Sequence, residues 1–308
     1  MGSIANAVAV ANGKGGVLKS TTASHVAGIA ADSGWKVLVV DADSQGNTSR
    51  DLGYVPDGGV GLAEALLGRA QLAPITSEQR PNLDYVAGGE ALVGAAQELG
   101  NKLATADFTA IQAFSRALAP IAGDYNLIIV DTGPGDHVLR KVVLAATRYV
   151  IVPCKTDQSS IPDGLANLLR SVNELRDQLN PELEILGIVL GPVRATETRR
   201  LARARARAGE VLGSEDVLFQ HSIRDNGKIA DDCRELGIIA TEYEVRAQQA
   251  QATKTPWFKL SKADREAARL SFEFSKPGAA AGLAKDWADL TNEILERYAS
   301  RQADSSAA

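Results

Sequence analysis

Between a short apolar run, Ile4–Ala11, and a helical pattern over residues 20–33 lies the stretch Asn12–Thr22, NGKGGVLKSTT, and it narrows the choice of fold more than any other part of the chain. Glycines at 13, 15 and 16 let successive backbone N–H groups turn inward on an anion, Lys19 can reach the far end of a phosphate chain, and Ser20 offers a hydroxyl to Mg²⁺. A helix that starts near Lys19 adds partial positive charge at its first turn. The strand, loop and helix in this order predict a phosphate-binding loop. Two residues stand apart: Lys14 inside the glycine run, and Leu18 where the pattern G-x-x-x-x-G-K-[ST] has its last glycine.

Around this loop, Val- and Ile-rich runs alternate with longer helical patterns, which predicts βαβ units and a mostly parallel twisted sheet flanked by helices. Strands are expected at Lys36–Asp41, Asn82–Val86, Tyr125–Val130, Tyr149–Pro153, Glu184–Leu190 and 217–223. Helices are expected at 61–68, 90–102, 107–120, 163–179 and 226–236, and through an arginine-rich segment after Leu190. Turn-rich stretches at Thr253–Ser261 and Ser275–Gly282 flank a mixed helical segment. Leu283–Tyr298 reads as a closing amphipathic helix. The expected organisation is a single domain over 1–302, with a nucleotide core at about 4–240, a helical part at about 241–302 and a flexible tail at 303–308.

Three motifs fall on one edge of such a sheet. The loop follows the first strand, DADSQGN (Asp41–Asn47) follows the second, and DTGPG (Asp131–Gly135) ends the clearest one. In open parallel sheets ligands bind beyond the strand C-termini. An acid there can hold Mg²⁺ directly or through water; strand-end capping is the alternative for the three carboxylates, and their falling together on the ligand edge favours the Mg²⁺ role.

Bulk properties remove several classes. With 45% hydrophobic residues in 308, the chain can bury a sizeable core, and a formal net charge of −5 restricts any nucleic-acid contact to a local basic patch. Cys154 and Cys233 are the only cysteines and are far apart, so neither a disulfide framework nor a cysteine metal site is supported. No run of about 18 apolar residues is present to span a membrane. His25, His137 and His221 have no ligand spacing and read as structural residues. The expected location is a reducing cytoplasm.

The set KGGxxK[ST] with its extra lysine, DADSQGN and IIVDTGPG, in this order and spacing, resembles the ParA/MinD group of deviant Walker-type ATPases, and most closely its ParA branch. The resemblance covers about residues 4–240. It implies ATP and Mg²⁺ as ligands, with Gly13, Lys14, Gly15, Gly16, Val17, Leu18, Lys19, Ser20 and Thr21 around the phosphates. Lys14 would reach the partner subunit's nucleotide across an ATP-sandwiched homodimer, and Asp43 would orient the attacking water; these two are the expected catalytic residues. Ser20 would ligate Mg²⁺, with Asp41 and Asp131 acting through its shell. Segments near Pro192 and Arg224 are the expected walls of the base pocket. Adenine follows from the resemblance alone, since no base-reading NKxD run is present.

The same resemblance implies a slow ATPase that partitions plasmids or chromosomes, binds nonspecific double-stranded DNA on the nucleoid and is stimulated by a ParB-type centromere-binding protein. Arg199, Arg203 and Arg207 recur at i, i+4, i+8 with Arg194 and Arg200 nearby, and these five are the expected DNA contacts. A merely solvated helix face is the alternative for that cluster. Because the first strand begins almost at residue 1, no N-terminal helix-turn-helix is expected. The last helix carries Asp286, Asp289, Glu293 and Glu296 on its polar face, which argues for packing on the domain and against a MinD-like membrane helix. Iron–sulfur carriers of the wider group need paired cysteines at a dimer interface, and Cys154 and Cys233 offer no such pair. A membrane-positioning ATPase, an ATP-dependent ligase and a nucleotide-binding protein with little turnover are the rival readings.

If the position of Leu18 requires φ > 0, its side chain costs about 1–2 kcal/mol.

Overall fold

The computed structural model describes residues 2–156, 162–194, 197–253, 274 and 277–307, and the statements that follow concern those residues. Six apolar runs form strands: β1 Ile4–Val10, β2 Val37–Ala42, β3 Leu83–Val86, β4 Leu127–Thr132, β5 Thr147–Cys154 and β6 Glu184–Leu190. They pair in parallel in the order β3-β2-β4-β1-β5-β6. A parallel sheet covered on both faces needs apolar side chains at nearly every position, and β2 and β4 are buried along their whole lengths. Successive residues enter opposite layers. Leu38, Val40, Ile128 and Val130 pack with Leu62, Leu92, Phe114 and Val142 on one face, whereas Val37, Val39, Leu127 and Ile129 pack with Val26, Ile29, Trp287 and Leu290 on the other.

The helices are α1 Lys19–Asp32, α2 Asn47–Leu52, α3 Val60–Leu66, α4 Ala91–Ala104, α5 Ala113–Leu118, α6 His137–Ala146, α7 Pro162–Gln178, α8 Thr198–Leu212, α9 Gly227–Leu236, α10 Ala240–Thr253 and α11 Pro277–Ala307. Neither α2 nor α6 was expected from the sequence, although the Asp136 carboxylate before α6 accepts from the Leu139 N–H at 2.8 Å as an ordinary N-cap. Small residues let α1 lie buried between the sheet and α11, its residues from Thr22 to Ala31 all shielded from solvent.

Two expectations are corrected. Residues 217–223 form no strand; they touch the sheet region at two isolated parallel bridges, Leu218 with Ile188 and Arg224 with Val193. Between those bridges the N–H groups of Gln220 and His221 donate to the Glu293 carboxylate of α11 instead, and Pro192 has no N–H to extend the ladder. The closing helix also runs well beyond Leu283–Tyr298. Residues 277–282, read as part of a turn, form its first turns, with proline at the first position. The helix continues to Ala307 through the segment read as a tail, where Arg148 donates to the Ser305 hydroxyl at 3.2 Å and the Gln302 amide donates to the Ala5 carbonyl. Most of the turn-rich stretch at Thr253–Ser261, and the segment after it, lie outside the described residues. No helix is long and apolar enough to cross a membrane among the described residues.

Candidate functional site

The loop from Ala11 to Leu18 closes over the C-terminal edge of β1. Asn12 fixes its start: its amide donates to the Pro153 carbonyl at 2.8 Å, and its oxygen accepts from the Lys14 N–H at 3.0 Å. Two residues then take the left-handed conformation, Gly16 at φ 65° and Leu18 at φ 65°, ψ 26°. The strain anticipated for Leu18 is therefore present, of order 1–2 kcal/mol. Leu18 stands at the N-cap of α1, and its carbonyl accepts from the Thr22 N–H at 2.8 Å.

The Lys19 side chain is buried and turns back along the loop, its ammonium donating to the Lys14 carbonyl at 2.9 Å. Burial lowers the Lys19 pKa, while Asp131 and Asp43 oppose that shift. Lys14 itself is half-buried on the rim of a cleft of about 490 Å³ that it shares with His137, Arg140 and Glu174.

The three acids occupy different environments. Register places Asp41 beside Asp131 on β2 and β4, and Asp131 beside Val10 on β1. Asp41 has its oxygens in use: one accepts from the Asp43 N–H at 3.0 Å, the other from the Thr48 N–H at 3.1 Å and the Tyr85 hydroxyl at 3.2 Å. It brackets the turn that presents Asp43. Asp43 accepts from the Gln45 N–H at 3.0 Å, and a Cβ on Gly133 would come within 2.7 Å of that same oxygen, so a side chain there would displace the Asp43 carboxylate. Asp131 accepts from the Thr48 hydroxyl at 2.9 Å through one oxygen, while its other oxygen is buried with no hydrogen-bond partner.

Burial pushes both Asp41 and Asp131 above the ordinary carboxylate range. Each feels a neighbouring carboxylate as well, and for Asp131 the Ser20 and Thr48 hydroxyls pull the other way. An unsatisfied buried carboxylate oxygen, a hydroxyl facing it and a neighbouring ammonium form a donor set suited to a hard, oxygen-seeking cation beside an anion.

Pro192, Arg224 and Asn226 come to the same side of the loop. With Leu18, Thr21 and Trp287 they line a cavity of about 190 Å³. Arg224 is held there by Asp286 of α11 through two bonds of 2.6 and 2.7 Å. Beneath the cavity His25 is fully buried, its Nε2 accepting from the Ala240 N–H at 3.1 Å, its Nδ1–H donating to the Thr21 carbonyl at 2.8 Å and its ring stacked 4.3 Å from Trp287. Burial pushes its pKa down to about 4. His25 thus ties α1 to α10 and α11 as a neutral structural group.

The expected arginines divide. Arg199, Arg203 and Arg207 are exposed along one face of α8, and none makes an ion pair among the described residues. Arg194 pairs with Asp225 at 3.3 Å, and Arg200 donates to the Thr156 carbonyl at 3.1 Å while pairing with Glu197 at 2.9 Å. Arg205, in the same segment, donates to the Phe219 and Gln220 carbonyls. Sequence reasoning missed Thr48 and the bracketing use of Asp41; the only available signal was the position of Thr48 directly after DADSQGN.

The chain is similar to several known proteins. The AAA domain model AAA_31 matches residues 5–185. Chromosome partitioning protein ParA of Caulobacter vibrioides is 34% identical over 185 residues, spanning 59% of this chain and 68% of that protein. Among solved structures, cobyrinic acid a,c-diamide synthase from Mycobacterium smegmatis with bound ATP analog and magnesium is 27% identical, with a TM-score of 0.62 over 80% of this chain and 96% of that one. The septum site-determining protein MinD from Pyrococcus horikoshii, complexed with Mg-ADP, shares the fold at 19% identity and a TM-score of 0.63, covering 94% and 95% of the two chains.

Proposed function

The chain belongs to the AAA domain family in its ParA/MinD branch, and from that premise we propose that it is an ATP-dependent DNA-partitioning switch. The observation that carries the nucleotide part is the meeting of Lys19, Ser20, Asp43 and the unsatisfied Asp131 oxygen at one sheet edge. Loop N–H groups from Gly13 to Ser20 and the Lys19 ammonium hold the phosphates, and the cavity walled by Leu18, Pro192 and Arg224 takes the base. Ser20 and Asp131 would hold Mg²⁺, with Asp41 one step behind as the bracket of the Asp43 turn. When bound, the ion offsets charge on the phosphate oxygens. Asp43 orients the attacking water, and Lys14 adds charge at the partner's nucleotide in an ATP-dependent homodimer.

The dimer retains nonspecific double-stranded DNA on the nucleoid through Arg199, Arg203 and Arg207, and hydrolysis stimulated by a ParB-type partner releases it. Exposed arginines at helical spacing, with no ion pair among the described residues, support that surface. DNA retention measured with ADP, ATP and a nonhydrolysable analogue across salt concentrations tests the whole reading. Retention should appear with ATP, persist longest with the analogue and fall steeply with salt. Equal retention in all three nucleotides sinks the switch.

A second reading has one observation behind it: the 27% identity to a nucleotide-bound metabolic synthase. It predicts ATP consumption that depends on a small-molecule acceptor and ignores DNA. A membrane-positioning role has less support, because Leu283, Trp287, Leu290, Ile294, Leu295 and Tyr298 are buried against the domain and leave no apolar stripe for lipid.

A further inference from the structure

A second ammonium group, besides that of Lys19, stands over the glycine loop. Lys155 follows β5 directly, and its Nζ lies 3.5 Å from where a Cβ on Gly16 would sit, against the left-handed turn in the middle of the glycine run. Its backbone is fixed on both sides. The Cys154 carbonyl accepts from the Gly191 N–H at 3.0 Å, and the carbonyl of buried Thr156 accepts from Arg200 of α8 at 3.1 Å. The backbone that carries the ammonium is thus anchored between the end of β6 and α8.

No carboxylate among the described residues pairs with Lys155. Glu197 and Asp225 line the same cavity of about 200 Å³, yet each is engaged with an arginine, Glu197 with Arg200 at 2.9 Å and Asp225 with Arg194 at 3.3 Å. Lys19 and Lys155 therefore bring two ammonium groups to one short glycine loop, and Asp131 and Asp43 offset the charge of Lys19. The remaining positive charge is matched by an anion at the loop, and a triphosphate puts more negative charge within its reach than a diphosphate.

We propose that Lys155 is a phosphate-binding residue acting within its own chain, and that it favours a nucleoside triphosphate over a diphosphate. The proposal rests on the nucleotide-binding reading above. Titration calorimetry on the full chain with Mg²⁺ and either a nonhydrolysable ATP analogue or ADP tests it, using the parent protein, K155M, K155R and K19A. The K155M variant should bind the analogue about tenfold more weakly, the size expected for a lost charged hydrogen bond, with a smaller loss for ADP, and K155R should recover most of it. Equal melting temperatures for K155M and the parent without nucleotide exclude a folding defect in this partly exposed position. Analogue binding by K155M within twofold of the parent, alongside lost binding by K19A, overturns the proposal and leaves the nucleotide site standing. Equal weakening toward both nucleotides overturns the triphosphate preference. A parent protein that binds neither nucleotide removes the site itself, and Lys155 with it.

Discussion

The phosphate loop and the arginine face of α8 are both positively charged, but they are built on opposite principles. In the loop, charge comes from backbone N–H groups and lysines packed against the protein, with Lys19 buried and Leu18 held in a strained left-handed conformation. On α8 the charge of Arg199, Arg203 and Arg207 stands in solvent on long side chains that make no ion pair among the described residues. A pre-set cradle suits a small ligand of fixed shape, because little freedom is lost on binding. An exposed stripe suits a large, uniform polyanion whose exact position does not matter. The difference teaches that total positive charge says little about which anion a surface takes. What decides is how far the charge is ordered before the ligand arrives.

The largest effect should separate the two regions cleanly. Replacing Arg199, Arg203 and Arg207 with alanine should reduce DNA affinity roughly several-hundredfold at 0.1 M salt and lower the log–log salt slope by about 2.7, if each arginine neutralises one phosphate. Nucleotide affinity, measured on the same preparation, should stay within about twofold. Unchanged DNA retention would break the comparison by moving the DNA surface elsewhere.

The next effect concerns His25, which joins α1 behind the loop to the helical C-terminal part. Its folded pKa of about 4 lies below the ordinary 6.5, so between those values the unfolded chain binds the proton more readily. Stability linked to this group is complete above pH 6.5, declines as pH falls through the window and is lost below about 4. The total is on the order of 3 kcal/mol. Urea unfolding at pH 7, 6, 5 and 4 should show that decline shrink in a His25→Gln variant, after allowing for carboxylate titration common to both proteins. An identical pH profile in the variant would mean that other groups account for the acid sensitivity.

Least in size is Leu18→Gly. Relief of the left-handed strain and loss of a partly buried leucine oppose each other, so stability should change by less than about 1 kcal/mol in urea titrations. A loss of 3 kcal/mol or more would show that the leucine, and not the backbone, sets the loop's shape.

The sheet and its loaded edge were legible because both depend on local pattern. Continuous Val and Ile runs mark buried parallel strands, and Asp43 and Asp131 sit where those runs stop. Legibility failed where a long-range partner decides the outcome. Residues 217–223 read as a strand, yet Glu293 in α11 takes the N–H groups that a neighbouring strand would have used. Arg200 and Arg194 belong to the same basic cluster as Arg199 in sequence, but Thr156, Glu197 and Asp225 hold them in ion pairs and hydrogen bonds. Lys155 carried no signal at all, since only the folding of β5 beside β1 brings it over Gly16.

The hydrogen bond from Arg200 to the Thr156 carbonyl joins the arginine helix to the segment that carries Lys155. Any influence passing along this link must be reciprocal. If filling the loop strengthens attachment to DNA by some factor, DNA must strengthen the hold on nucleotide by the same factor, because both routes end in one ternary complex. On the proposed function, DNA-bound protein would then hold nucleotide more tightly than free protein by that factor.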